Sequence, residues 1–251
     1  MRLFYFLILL VVSLPTAYAA QVAIIIDDIG YRQSDIAALS LPSNITLSVL
    51  PYTPLGKDIA SKAHGEGYEI MLHLPMQALN GKKMGPGGLS NDMNEQEVKQ
   101  KVSQALIDIP YAKGANNHMG SLLTQLNEPM YWVMESLKQH QAYFVDSVTT
   151  RYTKAGSAAD SLGVPLLRRQ LFLDNDTTHQ GLEKQFKKLI EMAHQKGEVV
   201  AIAHPYPETI RFLKSNLPRL QAQGIKLVPT SRLLPISLAK KEGASPTARL
   251  K

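Results

Sequence analysis

The sequence predicts an α/β protein whose parallel strands close into a (β/α) barrel with seven or eight strands. Three observations lead there. Short apolar, β-branched runs alternate along the chain with longer amphipathic stretches, the order expected of strand–helix–strand units. The strand candidates are apolar throughout rather than alternating, which buries both faces of a sheet. The chain has 251 residues, a length that one α/β barrel commonly fills. An open doubly wound sheet fits the same alternation. However, the first strand runs into Asp27-Asp28-Ile29-Gly30 and lacks the glycine-rich turn of a dinucleotide-binding sheet, which favours the barrel.

Residues 1–19 read as an export leader. Arg2 supplies the positive end, Leu3–Leu14 is apolar apart from Ser13, Pro15 ends the run, and Ala17-Tyr18-Ala19 places small residues before a cleavage point. The run is shorter than the ~20 residues of a spanning helix. The expected location of the mature protein is therefore the periplasm or an equivalent envelope space, with no stable membrane span after cleavage. The barrel then occupies 20–235. Its strand candidates are Val22–Ile26, Ile45–Leu50, Tyr68–Leu72, a weak run at Ala112–Asn116, Tyr143–Val145, Leu171–Leu173, Val199–Ala203 and Ile225–Val228. Gly81–Asn91, rich in glycine, is a loop. Asn94 with Glu97 three residues on reads as the cap of a helix carrying Val98, Val102, Leu106 and Ile109 on one stripe. Glu128–His140 forms a second helical segment. Leu182, Phe186, Leu189, Ile190 and Ala193 mark a third, closed by Gly197. Residues 236–251 form a basic tail, expected to be mobile.

Composition narrows the chemistry. The absence of cysteine excludes a disulfide scaffold, a cysteine nucleophile, a thiolate zinc site and an iron–sulfur centre, so any metal must be held by His, Asp or Glu. The net charge is +6, but Arg2 and the tail, with Lys240, Lys241, Arg249 and Lys251 against Glu242, carry four of those charges. Only +2 remains on the body, which leaves no nucleic-acid footprint.

The informative residues stand where the strands end. They are Asp27 and Asp28 after the first, His73 after the third, Asn116-Asn117-His118 after the fourth, Asp146 after the fifth, Asp174 after the sixth and His204 after the seventh. In a parallel barrel these positions share the rim that holds active sites. Asp146 and Asp174 read equally well as caps of following helices. Two adjacent carboxylates repel unless a cation holds them or one stays protonated. Together with three rim histidines they suit Zn²⁺ or a similar divalent ion. The other four histidines, His64, His140, His179 and His194, fall on helices or their ends and are expected to face solvent.

These runs resemble a known family. Ile24-Ile25-Ile26-Asp27-Asp28-Ile29-Gly30 is similar to the opening motif of the polysaccharide deacetylases. Tyr68–His73 resembles their second motif, and Ala201-Ile202-Ala203-His204-Pro205 their last. The similarity is closer to the divergent polysaccharide deacetylase family of bacterial envelope proteins, and it covers about Gln21 to Leu234. The resemblance implies a distorted (β/α) barrel and metal-dependent removal of N-acetyl groups from a carbohydrate, peptidoglycan being the nearest such polymer. It implies Asp27 as general base, Asp28 and His73 as metal ligands and His204 as general acid. The family's further histidine, four residues after His73, is Gln77 here, and its Arg-x-Pro motif is absent. His118 is expected to take the missing ligand position, and Asp146 to orient a catalytic group or stabilise its charge. A barrel that binds a glycan or an envelope protein without hydrolysing it is the alternative. A glycosidase with a remote carboxylate pair would leave the three rim histidines unexplained.

Overall fold

A computed structural model describes residues 19–235. The basic tail, and all but the last residue of the expected leader, lie outside the described residues. Among the described residues, nine strands form one parallel sheet: β1 (Gln21–Ile29), β2 (Thr46–Val49), β3 (Glu69–Met76), β4 (Ala112–Met119), β5 (Tyr143–Asp146), β6 (Leu166–Arg168), β7 (Leu171–Phe172), β8 (Glu198–Ala203) and β9 (Lys226–Leu227). The order is β6-β5-β4-β3-β2-β1-β8-β7, with β9 beside the start of β1. The two ends of this path, β6 and β7, are consecutive in the chain. Arg169 and Gln170 bridge them, their N–H groups donating to the carbonyls of Asp146 and Val200. The result is the distorted barrel expected, joined across its gap by two residues rather than by a strand ladder.

The described residues include seven α-helices on the outside: α1 (Gly56–Gly65), α2 (Glu95–Asp108), α3 (Asn127–Gln139), α4 (Ala155–Leu162), α5 (His179–Lys196), α6 (Pro207–Asn216) and α7 (Pro218–Ala222). Local sequence sets their ends. Asn94 accepts the Glu97 N–H at 3.1 Å while the Glu97 carboxylate accepts the Asn94 N–H at 2.8 Å, so α2 begins in a reciprocal cap. Gly197 ends α5 at φ +80°, a conformation glycine adopts freely. Among the described residues, no helix is long and apolar enough to cross a membrane.

Side-chain parity divides the core in two. Val22, Ile24, Ile26, Leu72, Leu74, Phe144, Val199, Ala201 and Ala203 pack against the helices. Ala23, Ile25, Met71, Tyr143, Val145, Val200 and Ile202 form a smaller cluster inside the barrel. Because successive side chains point to opposite faces, residues two further along from the interior set also face the interior. Below the apolar layer a polar plug closes the barrel. The Glu69 carboxylate accepts from Tyr143 Oη at 2.9 Å, Thr46 Oγ1 at 3.3 Å and the Ser231 N–H at 2.9 Å.

Several strands run further than their apolar residues. β1, β3 and β4 extend through Asp27-Asp28, His73 and Asn116–His118, so these residues lie within strands rather than after them. Pairing is a backbone property. Here it is sustained by neighbouring strands, as the register of His73 with Asn116 illustrates. β6, only three residues long, is too short for its pattern to be read from sequence.

Candidate active site

The rim site starts from an irregularity in β1. Between Ile26 and Ile29 the strand carries one residue more than β2 opposite, and Asp28 sits in the left-handed region at φ +58°. A regular strand would send Asp27 and Asp28 to opposite faces. The bulge turns both carboxylates toward the mouth, and Asp tolerates this backbone better than most residues. Gly30 completes the turn at φ +134°, where a Cβ would lie 2.1 Å from Thr53 Oγ1. The Gly30 and Arg32 N–H groups both donate to the buried Asp35 carboxylate, at 3.0 and 2.9 Å.

Parity brings the other groups in. His73 follows Met71 on the interior face of β3, and Asn116 and His118 share one face of β4. His204 follows Val200 and Ile202 in the same way. Asp28 Oδ1 lies 3.0 Å from His73 Nε2 and 2.8 Å from His118 Nδ1, and the two ring nitrogens are 3.1 Å apart. His73 Nδ1 donates to Asn116 Oδ1 at 2.7 Å, which directs its Nε2 to the cluster. Asn116 Oδ1 also accepts from Ser48 Oγ at 2.6 Å, and its amide N–H donates to Asp27 Oδ1 at 2.8 Å. One buried amide thus fixes both the histidine and the carboxylate behind it.

The donor set fits a divalent ion. Two imidazole nitrogens and one carboxylate oxygen converge within 4.8 Å of one another, the spacing of ligands whose bonds to a common ion are ~2.0–2.2 Å. Gln77, at the position of the family's further histidine, turns elsewhere. Its Oε1 accepts the Asn91 N–H at 2.7 Å and anchors the Gly81–Asn91 loop.

The charges are strongly coupled. Asp27 is buried, and burial pushes its carboxyl above the ordinary range although His73 and His204 oppose this. Burial would also raise Asp28, but the rings of His118 and His73 hold it well below the usual carboxylate range. Burial would lower His73, yet Asp27 and Asp28 raise it. His204 shows the same contest. Burial lowers it, Asp174 outweighs burial with help from Asp27 and Asp28, and the ring is raised to about 9.

Asp174, which reads from sequence equally well as a rim residue or as a helix cap, is settled by its contacts. It is not a cap, because Thr178 caps α5. Its Oδ1 lies 3.0 Å from His204 Nδ1, and its Oδ2 accepts from the His204 N–H at 2.6 Å and from Thr209 Oγ1 at 3.0 Å. Asp146, expected to orient a catalytic group, makes no hydrogen bond or ion pair with any of the three rim histidines. Tyr143 and Val145 point into the barrel and Phe144 points to the helices, so parity sends Asp146 outward with Phe144. Its Oδ1 accepts the Val148 N–H at 2.9 Å, and its buried Oδ2 has no hydrogen-bond partner. Arg169, which the sequence did not single out, lies close enough to Asp146 and Asp27 to feel both charges. It donates to the carbonyls of Ser147 and Val148 at 2.6 and 2.9 Å and lies 3.7 Å over the Phe172 ring. The four remaining histidines are exposed, as expected.

Asp28, His118 and His204 open into a cavity of about 230 Å³, walled by Tyr31, Arg32 and Tyr206. A larger depression of about 570 Å³ lies at the opposite end beside β9, far from these groups.

Comparison with known proteins agrees with this geometry. The sequence profile of the divergent polysaccharide deacetylases matches residues 24–234. The chain is 38% identical to the uncharacterized protein YibQ of Escherichia coli over 230 residues, 91% of this chain and 72% of that one. It is 34% identical to an uncharacterized Haemophilus influenzae protein over 215 residues, 85% of this chain and 76% of the other. The fold is similar to the crystal structure of an uncharacterized Agrobacterium tumefaciens protein, with a TM-score of 0.82 at 22% identity, covering 87% of this chain and 90% of that one. With its profile matched over nearly the whole described body and its rim residues gathered at one mouth, the chain belongs to the divergent polysaccharide deacetylase family.

Proposed function

We propose that this protein is a metal-dependent hydrolase that removes N-acetyl groups from a carbohydrate polymer of the cell envelope, peptidoglycan being the nearest such polymer. The leader-like sequence at residues 1–19 supports a periplasmic location. The observation that carries the reading is the convergence of Asp28, His73 and His118 on one point, with Asp27 and the His204–Asp174 pair beside it.

A divalent ion such as Zn²⁺, held by Asp28, His73 and His118, would polarise the acetyl carbonyl and acidify an attacking water. Asp27 is placed to take that water's proton. Its Oδ2 is 3.7 Å from His73 Nε2, next to the ligand cluster, and its burial makes it a stronger base than an exposed carboxylate. His204 supplies the acid. With Nδ1 donating to Asp174, its Nε2–H is free to protonate the amine nitrogen as the C–N bond breaks, and a pKa of about 9 keeps the ring protonated at neutral pH. The products are acetate and the free amino sugar.

The test is metal content by elemental analysis of protein purified without a histidine tag, together with acetate release from N-acetylated oligosaccharides and peptidoglycan fragments. About one equivalent of metal and metal-dependent acetate release are expected. A metal-loaded protein that releases no acetate from any of these substrates would overturn the hydrolase reading in favour of a glycan-binding barrel.

A further inference from the structure

The cavity holds more than the proposed chemistry requires. Arg32 lies at its mouth, immediately beyond the β1 bulge. The carboxylate nearest in sequence, Asp35, is engaged by backbone N–H groups, and among the described residues the Arg32 guanidinium has neither an ion pair nor a hydrogen bond. Two half-exposed tyrosines flank it. Tyr31 is 49% exposed and its hydroxyl lies against the Gly81–Asn91 loop, where a Cβ on Gly85 would be 2.8 Å away. Tyr206 is 36% exposed, and its ring lies 5.7 Å from that of His204.

A neutral acetamide offers a guanidinium a carbonyl acceptor but no charge to pair with. Hydrolysis of an acetamido group is fully provided for by the residues deeper in the cavity. A planar cation without a partner, lining the same cavity as two tyrosines, matches a ring-shaped ligand that carries a negative charge. Resting on the hydrolase reading above, we infer that Arg32 is a specificity-determining residue and that the substrate is an acidic N-acetylated saccharide. It would bear a carboxylate or phosphate on or next to the sugar that presents its acetamido group, with Tyr31 and Tyr206 packing against the sugar faces. The cavity of about 230 Å³ has room for about one sugar ring at a time, so the anionic group need only lie about one ring's width from the acetamide.

Matched pairs of probes isolate the charge. N-acetylmuramic acid is compared with its methyl ester, and N-acetylglucosamine 6-phosphate with N-acetylglucosamine. Binding to Zn²⁺-supplemented Asp27→Asn protein is followed by ligand-detected NMR. At least one acidic member should bind about tenfold or more tightly than its neutral partner, and which pair shows the gap separates a carboxylate substrate from a phosphorylated one. Added salt should narrow the gap. Arg32→Ala should abolish the preference and Arg32→Lys should keep part of it, with circular dichroism confirming that both variants fold. Equal binding within both pairs, or a preference that survives Arg32→Ala, overturns the inference. Acetate release by the wild type, assayed on both acidic and neutral N-acetylated saccharides, tests the hydrolase reading separately. Release without a charge preference defeats only the role of Arg32, and a charge preference without release defeats only the hydrolysis.

Discussion

Replacing Asp174 with asparagine removes the charge that holds His204 protonated and keeps the side chain's size. The ring is raised from an ordinary value of 6.5 to about 9, against the opposing effect of burial. The rise from 6.5 to about 9 corresponds to about 3 kcal/mol at about 1.36 kcal/mol per pH unit, and its largest favourable sources are the ring's one hydrogen bond to Asp174 and the charge of that carboxylate. An amide at this position would face Nδ1 with an N–H and so favour the neutral ring, bringing its pKa to about 6.5 or below. The sign for stability follows from the raised value. Stabilisation from a histidine with a raised pKa is fully present below the unfolded value and fades as pH rises through the folded value. The wild type should therefore exceed Asp174→Asn in unfolding free energy by about 3 kcal/mol near pH 6, and the difference should shrink markedly toward pH 10. Urea unfolding at the two pH values measures this, and NMR titration of the His204 ring gives the pKa directly. If hydrolysis is detected, the alkaline limb of the rate profile should also move down from about 9. A ring pKa that stays near 9 in Asp174→Asn, or a stability difference independent of pH, would refute the claim that Asp174 holds the proton on His204.

Other consequences can be checked alongside. Asp27→Asn should retain metal and lose hydrolysis, while Asp28→Asn should lose both; equal metal loss in the two would show that base and ligand are not separate roles. Asn116→Ala should weaken metal binding by about 10–100-fold, because it frees the His73 ring and leaves Ser48 and Asp27 without their partner; competition with a chelator reads this, and unchanged affinity would mean that the ring is fixed by packing alone. Because Asp27 and Asp28 raise the pKa of His73, a proton competes for the ligand nitrogen, so metal affinity should increase with pH through and above the ordinary histidine range; a pH-independent affinity would exclude His73 as a ligand. Glu69→Ala should lower stability by about 3 kcal/mol in denaturant melts, since Tyr143, Thr46 and Ser231 all lose a buried acceptor, while metal content stays unchanged.

Some of this was legible in the chain alone, and for local reasons. The alternation of strand and helix, the Asn94–Glu97 cap and the stop at Gly197 depend on neighbouring residues, and a parallel sheet, open or closed, follows from strands buried on both faces. The rim cluster of Asp27, Asp28, His73, His118 and His204 was also visible, because polar residues ending apolar runs stand out against them. The same uniform burial concealed what decided between Asp146 and Asp174. When every position of a strand is apolar, no alternation marks which residues point inward, and both aspartates look like rim residues. Only the assembled sheet fixes parity, sending Asp174 inward to His204 and Asp146 outward beside Phe144. Asn116 stood out at the rim, but its role could not be read, because that role lies in contacts with residues 43, 68 and 89 positions away in the chain. The pairing of Asp27 and Asp28 at one mouth likewise needs the β1 bulge, which exists only relative to the register of β2. Sequence determined which chemical groups reach the rim; register and parity, set by strand pairing across the whole sheet, decided which of them meet.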